Sequence, residues 1–132
     1  LKKILDAVYE MAKRKKEKNE TLENGEKYAE MLRVRLGTRL PVYLPQRITQ
    51  DLIKILTEFK EKAEKVGIKQ FVIQTHFESA MEITTEVKSG IEKIVNAGWT
   101  KTKQHVFTAA SARRRHTNKV RKVLNDIGVI TY

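Results

Sequence analysis

Three glycines, at 67, 98 and 128, lie 31 and 30 residues apart, and each follows a run of apolar residues at helical spacing. Glycine just past such a stripe is a common helix stop, because it adopts left-handed backbone without strain. The stripes are Leu52, Leu56, Phe59, Ala63 and Val66, then Val87, Ile91, Ile94 and Val95, then Val120, Val123, Leu124 and Ile127. β-forming residues come next in every case: Phe71, Val72 and Ile73, then Gln104, Val106 and Phe107, then Val129 to Tyr132. A repeat of about 30 residues holding one strand and one helix has the length of a βα unit, and such units require a parallel sheet with right-handed crossovers. The fold class read from this is α/β. A parallel sheet of about four strands is expected near 31–36, 70–75, 104–109 and 129–132, with helices on one face. Three and a half units are too few to close an eight-stranded barrel, so they form either an open sheet or a sector of a larger, TIM-like barrel.

The first unit has its own punctuation. Ile4, Leu5, Val8, Met11 and Ala12 predict an amphipathic helix over Leu1 to Lys18, and the polar stretch Asn19 to Gly25 ends it. Leu32, Val34 and Leu36 alternate with Arg33 and Arg35, a strand pattern that stops near Gly37. Pro41 and Pro45 are expected to hold the next connection extended, since proline disfavours helical dihedrals in the residue before it. Thr49 is placed to cap the second helix and Thr117 the last. For the helix between them two caps compete, Ser79 with Glu82 at capping-box spacing and Thr84 nearer the apolar stripe; Thr84 is preferred. The organisation is one domain, 1–132, with a helix and connector over 1–25 and βα units over 26–132. Because the chain stops after restarting a strand at Val129, it reads as cut from something longer.

Composition removes several functions. With no cysteine, the chain by itself can hold no disulfide, thiolate metal site or iron–sulfur cluster. No apolar run reaches the roughly 20 residues of a membrane helix, and a cytoplasmic location is expected. The formal charge is +11, and from Lys93 to Asn125 there are nine basic residues and no acidic one. That segment needs a counter-charge: nucleic acid, an anionic cofactor, an acidic surface, or simply solvent around a basic helix face.

In parallel α/β folds, functional side chains gather at the carboxyl ends of strands, where the loops face one crevice. Those ends offer Thr38 and Arg39, then Thr75 and His76, then Gln104 or the region of Thr108. His76 suits a hydrogen-bonding or proton-carrying role, Gln104 can read a hydroxyl or ring nitrogen, and Arg39 could clamp a carboxylate. Each also has a plain structural reading. Glu82, Glu86 and Glu92 do not converge as a paired-carboxylate site, and no P-loop, nucleophile elbow or dinucleotide fingerprint occurs. The residues alone support a binding site and no reaction.

The run Arg35-Leu36-Gly37-Thr38-Arg39-Leu40-Pro41-Val42-Tyr43-Leu44-Pro45-Gln46-Arg47-Ile48-Thr49 closely resembles a segment of lysine 2,3-aminomutase and its relatives. The resemblance continues in order through Thr75-His76-Phe77, Glu82-Ile83-Thr84, Asn96-Ala97-Gly98 and Gln104 with Val106. It implies a radical S-adenosylmethionine (SAM) enzyme: a partial (β/α) barrel with a [4Fe–4S] cluster on a CxxxCxxC loop, and pyridoxal phosphate carrying the amino group that moves between carbons 2 and 3 of lysine or a related amino acid. The cluster loop would lie upstream and the cofactor lysine downstream, leaving this segment inactive by itself. The family's SAM contacts map onto His76 and Gln104, with Arg39 as a weaker candidate for a carboxylate or cofactor phosphate. The implied partner is an amino-acid substrate, without membrane or nucleic acid, and uncovered barrel-facing side chains would favour a homo-oligomer. After Val106 the chain departs from the family's Arg-Gly-Val-Asn-Asp type of loop, reading Phe107 to His116 with three arginines in a row, which leaves the substrate open. The rival is a small basic α/β domain that binds nucleic acid or another anion.

Overall fold

A computed structural model of the chain describes residues 1–104 and 112–131. Helix α1, Lys2–Glu20, precedes strand β1, Arg33–Gly37. A short helix α2, Leu40–Tyr43, and a 3₁₀ turn, Pro45–Arg47, lead into α3, Gln50–Lys65. Then come β2, Gln70–Thr75, a 3₁₀ turn at Ala80–Glu82, α4, Thr85–Asn96, β3, Thr100–Lys103, α5, Arg114–Asp126, and β4, Val129–Thr131. The strands form one parallel sheet in the order β1-β2-β3-β4. Gly67, Gly98 and Gly128 all have positive φ, as the repeat requires of residues that end a helix and turn the chain back toward the sheet.

Alternation along the strands gives the sheet two different faces. Val34, Phe71, Ile73, Thr75, Lys101, Lys103 and Val129 are buried on the helix side. Arg33, Arg35, Gln70 and Thr100 are exposed on the other. Under the helices, Phe59, Phe71 and Trp99 form an aromatic cluster with ring centroids 5.5–6.1 Å apart, and the Trp99 indole donates to the Leu56 carbonyl at 3.1 Å. Helix α1 packs on α3 and adds Leu5 and Ala12 to this core. A second cluster, Phe77, Val87, Ile91, Val120, Leu124 and Val129, seals the space beneath α4 and α5. No helix among the described residues is long and apolar enough to cross a membrane.

The caps form largely as expected. Thr49 Oγ1 accepts from Leu52 N at 3.3 Å and Thr84 Oγ1 from Val87 N at 3.4 Å. Ser79 and Glu82 also make a full capping box, but it serves the 3₁₀ turn ahead of α4. Both contestants therefore act, each on its own element.

Three expectations need correction. The connection after β1 is helical, because Pro41 and Pro45 fall in the first turn of α2 and of the 3₁₀ segment, where a missing N–H costs nothing. Helix α5 begins at Arg114, so Thr117 lies inside its first turn, where its N–H donates to the Arg113 carbonyl. The third strand occupies Thr100–Lys103 and Gln104 follows it; the expected strand residues 105–109 lie outside the described residues.

The third strand is obscured in the sequence because its buried positions are lysines. Lys101 and Lys103 are each only 1% exposed. The Lys101 ammonium donates to the Ile91 carbonyl of α4, and burial pulls its pKa down to about 8. Burial also lowers that of Lys103, with Glu82 opposing the shift and Arg121 adding to it. Below pH 8 Lys101 is charged in both folded and unfolded chains, and the desolvation penalty is fully present. As pH rises from 8 toward the ordinary lysine value, the folded chain releases its proton first and stability rises. Lys101→Met should thus be more stable than the parent sequence at pH 7, on the order of 1–3 kcal/mol, with the gap closing by pH 10.5. Urea denaturation of both proteins across that range checks this; a gap that does not change with pH refutes it.

Candidate functional site

The carboxyl ends of β1, β2 and β3 surround an open concavity of about 450 Å³ lined by Gly37, Thr38, Arg39, Gln74, Thr75, His76 and Gln104. Register explains the grouping. Gly37 is opposite Gln74 and Gln74 opposite Thr102, so His76 and Gln104, two residues further along their chains, extend the same rows on the same open face. His76 Nδ1 lies 2.9 Å from the Gln104 carbonyl oxygen, and Gln74 Nε2 donates to Gln104 Oε1 at 2.8 Å. A carbonyl only accepts, so the His76 proton on that side must sit on Nδ1. Nε2 is then the imidazole atom available to other partners, with the Glu78 carboxylate 3.5 Å away.

Gly37 gives the concavity its width. A Cβ built at this position would meet nothing within 4 Å, although Gly37 pairs with Gln74 of β2. Glycine here answers no backbone need, since its φ is not positive.

Arg39 lines the concavity, and its guanidinium also reaches the loop that follows β2. Its guanidinium lies 4.1 Å from the centre of the Tyr43 ring, with Nη1 3.7 Å from Glu78 Oε1 and Nη2 3.5 Å from Glu82 Oε1. Glu82 Oε2 in turn accepts from the backbone N–H groups of Glu78 at 2.6 Å and Ser79 at 3.1 Å. On the far side, the His116 ring meets the Glu78 carbonyl at 2.8 Å. Arg39 thus ties the end of β1 to the loop that carries His76. Its Nε, like the hydroxyl of Thr75, is buried without a partner.

The structure therefore brings His76 and Gln104 together, sets Arg39 at the margin with its fork engaged, and adds Gly37, Gln74 and Glu78, which sequence reasoning missed. Gln74 was detectable, because it lies two residues before His76 on a strand and so shares its face. Glu78 was not, since its link to Glu82 depends on a 3₁₀ loop with no sequence period. Among the described residues, no group of three or more His, Asp or Glu could hold a metal ion.

No protein-family model matches the chain. Individual proteins do. An uncharacterised KamA-family protein of Methanocaldococcus jannaschii is 36% identical over 99 residues, which are 75% of this chain and 15% of that protein. The L-lysine 2,3-aminomutase of Acetoanaerobium sticklandii is 33% identical over 94 residues, 71% of this chain and 20% of the enzyme. The glutamate 2,3-aminomutase of Clostridioides difficile is 43% identical over 65 residues, 49% of this chain and 13% of the enzyme. The chain spans a fifth or less of the length of these relatives. By sequence, then, the chain is a relative of the lysine 2,3-aminomutase (KamA) family, matching a short stretch of much longer proteins.

Proposed function

We propose that this chain is part of the radical SAM core of an amino-acid 2,3-aminomutase, a cytoplasmic isomerase, and that the concavity at the carboxyl ends of β1–β3 receives the nucleoside part of SAM. One observation carries the reading: His76, Gln104 and Gln74 present polar edges along one rim, beside a glycine whose missing side chain leaves room. About 450 Å³ is ample for a nucleoside, and the side chains around it can both donate and accept hydrogen bonds.

The other two cofactors do not fit this chain. It contains no cysteine for a cluster. For pyridoxal phosphate, no lysine among the described residues lines the concavity, and Lys101 and Lys103 are buried on the opposite face of the sheet. Their ligands are assigned to other parts of the longer protein, so the segment alone is inactive. Iron and sulfide reconstitution of the isolated chain should give no visible absorption of a protein-bound [4Fe–4S] centre; appearance of that absorption would refute the assignment.

When bound, SAM supplies radical chemistry by homolytic cleavage of a carbon–sulfur bond. This chain's residues position. The His76 ring is fixed by its Nδ1–H bond to Gln104 and offers Nε2, while the Gln104 amide is held by Gln74. Holding one reactant in a fixed orientation is where such a site gains rate, because positional entropy is lost on binding and not at the barrier. The nucleic-acid alternative loses ground, since two of its nine basic residues, Lys101 and Lys103, are buried among helices.

In the complete protein, His76→Ala or Gln104→Ala should weaken SAM binding by roughly five- to a hundredfold at unchanged cluster content, the worth of one buried hydrogen bond. Calorimetric titration of SAM decides it, and unchanged affinity in both variants overturns the reading. Gly37→Ala should weaken SAM binding about tenfold at an undiminished melting temperature, because a Cβ there meets nothing of the protein within 4 Å and enters the space assigned to the ligand. Wild-type affinity in that variant would show the space to be unused.

A further inference from the structure

We infer that the amino ends of β1–β3 form a second binding site, for a small oxyanion ligand bearing phosphate or carboxylate groups. It lies at the other end of the sheet from the concavity of His76 and Gln104. A cleft of about 550 Å³ there presents Arg33, Arg35, Lys60 and Lys69 together with Thr100 and Thr102. One carboxylate shares the cleft, Glu64, and it is already engaged by Lys60 Nζ at 2.8 Å. Arg33, Arg35 and Lys69 have no counter-charge among the described residues. A cleft walled by one sign of charge concentrates ions of the other sign.

Strand register builds the cleft. Arg33 is opposite Gln70, and its Nε donates to Gln70 Oε1 at 2.6 Å, which anchors the guanidinium and leaves both Nη groups to donate elsewhere. Arg35, Val72 and Thr100 form the next row, so the arginine and the hydroxyl stand two strands apart, roughly 10 Å, with the short Val72 between them. Neither Arg35 nor the hydroxyls of Thr100 and Thr102 have a hydrogen-bond partner among the described residues. Because β3 starts opposite Val72, Gln70 and Phe71 have no strand beside them on that edge, and the cleft continues past them to Lys60. Gly98 keeps that passage open, since a Cβ there would fall 2.8 Å from Lys60 Cε. A free guanidinium fork, hydroxyls and ammonium groups on one rigid sheet end are the donors that phosphate and carboxylate oxygens accept from. This site stands whether or not SAM occupies the other concavity.

Calorimetric titration of the complete protein with inorganic pyrophosphate, and separately with succinate, tests this. Saturable binding of at least one probe is expected, weakened about tenfold or more by Arg35→Gln. Arg14→Gln, which removes the same charge from the exposed surface of α1, should weaken it less than about twofold. Arg35→Lys keeps the charge and gives up the fork, and should lose about fivefold at a matching melting temperature, so that misfolding does not mimic the result. Binding of pyrophosphate alone identifies a phosphate ligand, of succinate alone a dicarboxylate, and of both an unselective oxyanion site; each upholds the inference. Absence of saturable binding by either probe overturns it, because carboxylates of the longer protein or solvent then suffice for these cations. Equal losses in Arg14→Gln and Arg35→Gln overturn it as well, since they are the mark of unspecific charge.

Discussion

Strand β2 is hydrogen-bonded on both edges, and the site exists because of that double register. Arg33 to Gly37 run alongside Gln70 to Gln74, and Val72 to Thr75 alongside Thr100 to Lys103. With side chains alternating, this alignment sends Phe71, Ile73 and Thr75 into the helix layer and Gln74 and His76 to the open face. A slip of one residue would exchange the two sets, expose the Phe71 ring that packs on Phe59 and Trp99, and dismantle the polar rim at once. The aromatic core and the candidate site are two faces of one constraint.

The elements with a strong period were legible. The apolar stripes of α3 and α4, their threonine caps and the positive-φ glycines need only local chemistry, and the 31- and 30-residue spacing converts them into βα units. Strand β3 resisted because Thr-Lys-Thr-Lys has no apolar alternation, although its burial alternates perfectly well. A long lysine stem fills core space like an aliphatic side chain if its ammonium finds an acceptor, as Lys101 does on Ile91. No single-residue scale anticipates that. The prolines misled for the opposite reason: the same ring that opposes helix before it is well suited to a first helical turn.

The site was legible to the extent that it follows strand order. His76 and Gln104 can be proposed from strand ends and from the family resemblance, and they share a rim. The arginine shows where sequence position stops being informative. Arg39 is one of the lining residues, and its guanidinium turns toward Tyr43, Glu78 and Glu82, two of which come from another unit's loop. At 3.5–3.7 Å and partly exposed, these ion pairs contribute little stability individually. Their effect is geometric, since Glu82 also gathers two loop N–H groups just beyond His76.

The connections on the two ends of the sheet differ in length. From helix to next strand, the chain uses four residues after α3, three after α4 and two after α5, each passage ending a helix through glycine. From strand to helix it uses twelve, nine and ten. Tight turns of the first kind have no slack, because an inserted residue would shift a strand's register and invert its faces. The first two connections of the second kind already pass through a short helix or 3₁₀ turns, and they can lengthen without disturbing the ladder. Evolutionary novelty in such a chain is thereby channelled to one end, so descendants can alter what they bind while inheriting the same scaffold.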